Sequence, residues 1–145
     1  MATRKPKATA PRPATTATTS EPLTIFFPGT PTTASRPRVT RQGWAYYEKS
    51  YKEWMKAAHA VLKKMPCAHF PGPVSVLIGI AVKRPKKPTN PFPRGDVDNF
   101  AKGPLDALTK AEVWPDDNVV VKLTVRKWYT TCDEDVGITV VVTPC

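Results

Sequence analysis

GDVDNFAKGPLDALTKAEVWPDDNVVVKLTVRK, residues 95–127, contains a helix start, a helix, a punctuated turn and a strand in close succession. Short oxygen-bearing side chains at Asp98-Asn99 can cap free backbone N–H groups, and the apolar residues Phe100, Leu105 and Leu108 follow at helical spacing. Asn99 is the expected cap, which leaves the Asp98 carboxylate for other work. Gly103-Pro104 interrupts the pattern, because proline removes a ladder hydrogen bond beyond the first turn, so a kink or a late helix start is expected there. Val113-Trp114-Pro115-Asp116-Asp117-Asn118 then reads as a turn into a Val-rich strand.

Working outward, Val74, Val76, Ile78, Ile80 and Val82 alternate with smaller residues and predict a strand over Val74–Val82. Further strands are expected over Val119–Tyr129 and Val136–Thr143. With only the acidic loop Asp133-Glu134-Asp135 between them, these two should form a hairpin. Leu23, Ile25 and Phe27 predict a short opening strand that Pro28-Gly29 ends. From Trp44 to about Lys64 the residues Trp44, Tyr47, Tyr51, Trp54, Met55, Ala58, Val61 and Leu62 recur at spacings of three and four, which predicts the main helix, ended by Pro66. Its aromatic stripe could stack on bases, but at this spacing core packing is the expectation. The fold class is α+β: a small mixed domain with a sheet of about four strands packed by two helices.

The domain should span residues 21–145, long enough to bury a core without disulfides. Residues 1–20 are mostly Ala, Thr, Pro, Lys and Arg. They have too few large apolar groups to offset the entropy of ordering, so a mobile basic tail is expected. Cys67, Cys132 and Cys145 are an odd number at wide spacing with no zinc pattern. No apolar run is long enough to span a membrane and no secretory signal is evident, so a soluble protein of a reducing cytoplasm is expected.

Net charge is +10, from 22 Lys and Arg against 12 Asp and Glu, and the pI is near 9.7. A surplus of this size favours a polyanion such as nucleic acid, with a merely solubilising surface as the alternative. Two Pro-containing basic loops are suited to phosphates: one with Arg36, Arg38 and Arg41, the other with Lys83, Arg84, Lys86, Lys87 and Arg94. Against this background six of the 12 acids, Asp96, Asp98, Asp106, Glu112, Asp116 and Asp117, fall between residues 96 and 117. Asp96 and Asp98 would share one side of an extended segment and could grip one ion. Hard divalent cations such as Mg²⁺ prefer such oxygen ligands and keep several waters. The regular spacing of a Ca²⁺-binding EF-hand is absent. Lys102, four residues after Asp98, would reach the rim of the same site or merely pair with Asp98 on the surface.

Taken together, D-V-D-N-F-A-K over residues 96–102, L-D-A-L over 105–108 and W-P-D-D over 114–117 resemble the signature of the RusA family of phage and prophage endonucleases. The resemblance is close over residues 95 to about 128 and loose elsewhere. It implies a Mg²⁺-dependent endodeoxyribonuclease, with Mn²⁺ able to substitute, that acts as a homodimer on four-way junctions and other branched DNA. It further implies that Asp96, Asp98 and Asp117 are the catalytic carboxylates and metal ligands and that Lys102 is the essential lysine. It gives Asp106 and Asp116 no clear role. The rival reading is a non-catalytic DNA-binding accessory protein whose acids serve as caps and ion pairs.

Overall fold

In the computed structural model the described residues are 20–34, 38–39, 41–42, 45–46, 49–65 and 68–145. Strand β1, Leu23–Pro28, is followed by the two-residue strands β2, Arg38–Val39, and β3, Ala45–Tyr46, which pair with each other. Helix α1 spans Lys49–Lys63, β4 Val74–Lys83, α2 Val97–Lys110, β5 Val120–Thr130 and β6 Gly137–Pro144. The main sheet has the order β1-β6-β4-β5 and two helices accompany it, as the α+β reading expects. The tail expected over residues 1–20 lies outside the described residues except for Ser20, and so do Trp44, Tyr47, Pro66 and Cys67.

The alternation of β4 accounts for its central place. Val74, Val76, Ile78 and Ile80 point to one face and are at most 1 % exposed. Register places Ile138, Val140 and Val142 of β6 and Ile25 and Phe27 of β1 on that same face, which Tyr51, Trp54, Met55 and Ala58 of α1 and Phe100, Ala107 and Leu108 of α2 cover. The aromatic stripe of α1 is therefore core where it is described. Each large side chain so buried stabilises the fold by roughly 1.5–3 kcal/mol. On the other face Phe26, Leu77 and Trp128 remain about two-fifths exposed.

Three local expectations are corrected. The two C-terminal strands do not form a hairpin: β4 lies between them, parallel to β5 and antiparallel to β6. The unit β4-α2-β5 is a βαβ crossover, and burying β4 from both sides is worth more than pairing chain neighbours. Helix α1 begins at Lys49 rather than Trp44, because Ala45–Tyr46 is spent on β3. Helix α2 starts early, at Val97, and takes Pro104 into its body. Gly103 and Pro104 are both buried there, and a Cβ on Gly103 would stand 3.1 Å from the Trp54 ring, so this small residue lets the two helices approach closely.

Candidate active site

The loop before α2 is fixed from three sides. Gly95 has φ +100°, and a Cβ there would lie 2.8 Å from the Phe100 ring and 2.9 Å from Thr33 Cγ2, so only glycine fits. Lys127 of β5 donates from Nζ to the Gly95 carbonyl oxygen at 2.5 Å while its ammonium stands 5.4 Å from the centre of the Phe92 ring. The Ala34 backbone N–H donates to the Asn99 carbonyl at 2.9 Å, which docks the start of the first basic loop on the first turn of α2.

Asp96, not Asn99, occupies the N-cap position of α2, so the expected cap is displaced by three residues. The Asp96 carboxylate makes no capping hydrogen bond, and its carbonyl instead accepts from the Phe100 N–H at 3.1 Å. Asp98 sits in the first turn of the helix rather than on an extended segment. Asp96, Asp98 and Lys102 are exposed, and the Asp98–Lys102 surface pair is not formed.

The position of Asp117 follows from how α2 ends. Glu112, at φ 62°, donates its N–H to the Thr109 carbonyl and Val113 donates to Leu108, the paired bonds of a Schellman termination. Trp114 is fully buried, and its indole N–H donates to Thr109 Oγ1 at 2.7 Å. This plug fixes the turn that presents the exposed residues Asp116 and Asp117 at the entrance to β5. Asp106 takes a different course: it accepts from the Tyr51 hydroxyl at 3.3 Å, between the helices.

Asp96 and Asp98 thus stand at one end of α2 and Asp117 near the other. Lys127, whose contact holds Gly95, pairs in register with Ile80 late in β4. The Phe70 N–H, just before β4, donates to the Val113 carbonyl at the far end of the helix. A helix of 14 residues, about 20 Å long, runs between these anchors. Among the described residues no group of three His, Cys, Asp or Glu side chains lies close enough to hold one ion. The donors suit a hard divalent cation in kind, being exposed carboxylates with no bond to a described residue, but one chain does not gather all three.

Of the expected DNA contacts, Arg36 lies outside the described residues, as does the side chain of Arg38, and Arg41 is exposed in a turn. Arg84, Lys86, Lys87 and Arg94 are exposed. Lys83 is engaged, with its ammonium paired to Asp133 and donating to the Thr131 carbonyl at 3.4 Å. Sequence reasoning missed Lys127 and Phe92. The available signal was a lysine at an inward position of β5, in the row Leu123, Val125, Lys127, Tyr129.

No described helix is long and apolar enough to cross a membrane. A family model described as endodeoxyribonuclease RusA matches residues 28–142, and no curated protein matches the chain.

Proposed function

The chain belongs to the RusA family of endodeoxyribonucleases, and on that premise we propose that it is a Mg²⁺-dependent nuclease that resolves Holliday junctions and other branched DNA by paired hydrolytic cuts. The observation that carries this reading is the presence, in a chain of net charge +10, of the exposed carboxylates Asp96 and Asp98 at the start of α2, where Lys127 holds the Gly95 carbonyl, with no bond from either carboxylate to a described residue. Exposed carboxylates gathered in this way suit a hard divalent cation that keeps several of its waters.

A bound Mg²⁺, for which Mn²⁺ would substitute, would supply Lewis-acid polarisation of the phosphate and a more acidic water. Asp96 and Asp98 would hold it. Lys102, one turn along α2, would aim its ammonium at the phosphate oxygens where negative charge develops. Asp117, near the far end of α2, would serve the same centre from a second copy. In a two-fold dimer whose α2 helices lay antiparallel side by side, Asp117 of each chain would meet Asp96 and Asp98 of its partner. Two equivalent sites result, the number that symmetric cutting of a four-way junction requires.

The exposed residues Arg41, Arg84, Lys86, Lys87 and Arg94, together with Arg36 and Arg38, would contact backbone phosphates. The second reading is a non-catalytic DNA-binding protein that uses the same exposed basic residues. Cleavage assays on four-way, forked, duplex and single-stranded DNA, with and without Mg²⁺, separate the two. The nuclease reading expects Mg²⁺-dependent incision of branched substrates, whereas binding without incision in any metal supports the accessory role.

A further inference from the structure

Helix α1 carries Lys52, Lys56, His59 and Lys63 at spacings of four, three and four, which align them in one stripe along the helix. The stripe borders two adjoining depressions between α1 and α2, of about 360 and 380 Å³, that share His59 and Lys110. Lys110 of α2 faces the stripe, and Asp106, held by the Tyr51 hydroxyl, is the one acid lining these depressions. The four lysines are exposed and form no ion pair with a described residue, whereas Lys49 on the same helix pairs with Glu53. Favourable interaction with the C-terminal ends of the helix dipoles accounts for Lys63 of α1 and Lys110 of α2 and leaves Lys52 and Lys56 unexplained.

We propose that this groove is a second binding surface for the phosphate backbone of duplex DNA, distinct from the Pro-containing basic loops and set near the end of α2 away from Asp96 and Asp98. From Lys52 to Lys63 the stripe runs about 16 Å, the length of roughly five base-pair steps of a duplex. Four lysines that form no ion pair with a described residue, against the single Asp106 carboxylate, match a regularly charged polyanion better than an acidic peptide, whose charges are irregular. The choice of DNA as the occupant rests on the nuclease reading, while the anionic character of the occupant does not. In the complex this groove would hold a duplex arm along the helices while the acids engage the strand to be cut.

The test is binding of a plain duplex and of a four-way junction in EDTA, measured as affinity against salt concentration. Removing two phosphate contacts lowers the slope of log affinity against log salt by about 1.8. Lys56→Gln/Lys110→Gln, and independently Lys52→Gln/Lys63→Gln, should show that loss and about tenfold or weaker binding at physiological salt. The control Lys49→Gln/Lys64→Gln removes the same charge outside the groove and should leave the slope within about 0.5 of wild type. A wild-type slope in both groove variants overturns the proposal and leaves the stripe to an acidic protein. An equal loss in the control overturns it as well, since net charge alone would then account for the effect. Wild-type cleavage in Mg²⁺, run alongside, reports on the nuclease reading separately: a protein that binds through the groove but never cuts loses that reading and keeps this one.

Discussion

Lys102 shows how a single side chain separates chemistry from surface charge. It is exposed and its pair with Asp98 is not formed, so Lys102→Ala should change stability by well under ~1 kcal/mol. If its ammonium meets the reacting phosphate, the same substitution should lower the single-turnover rate on a four-way junction by about a hundredfold or more. A rate within about threefold of wild type at saturating enzyme and Mg²⁺ would return Lys102 to the solvated face of the helix. At this scale the sequence identified which acids are notable but misjudged their setting. Asp98-Asn99 is a good capping pair in isolation, yet the cap position falls to Asp96 because Gly95, held by Lys127, Phe100 and Thr33, sets where the chain can turn into α2. The contacts with Lys127 and Thr33 are tertiary, and local pattern carries no trace of them.

Among elements, hydrophobic period located β1, β4 and β6 closely, since each buries one face and period reports that face directly, whereas it misplaced the starts of α1 and α2. Pairing is a different matter. The interval between β5 and β6 suggests a hairpin, but β4 needs a neighbour on each edge, and the turn at Asp133–Asp135 carries the chain across it. Gly137 is where β6 enters beside β1, and there the backbone is demanding: φ is +152°, and a Cβ would lie 2.4 Å from the Phe27 carbonyl oxygen. Gly137→Ala should therefore destabilise the protein by about 2 kcal/mol or more, read by urea unfolding, because neither backbone can yield without breaking the β1–β6 ladder. A loss below ~0.5 kcal/mol would mean that this end of the ladder frays freely.

At the scale of the whole molecule, the separation of the acids along α2 turns assembly into a question of chemistry. Asp98→Asn and Asp117→Asn homodimers should both be inactive, yet a mixture of the two should regain incision. On the proposed two-chain site, a mixed dimer would keep one site in which Asp96 and Asp98 of one chain meet Asp117 of the other. Recovery would be confined to single-strand nicks, and a mixture as inactive as its parents, despite chain exchange, would place each site within one chain. The separation of Asp98 from Asp117 could not be read from sequence, where the two lie close together and the helix between them hides it. Metal-dependent hydrolysis by these acids is tested by single-turnover cleavage of a four-way junction by Asp98→Asn at saturating enzyme and Mg²⁺, with binding followed in parallel. The rate should fall by about a thousandfold with junction binding retained or tightened, as loss of both a ligand and a negative charge requires; cleavage within about threefold of wild type would contradict a catalytic role for Asp98.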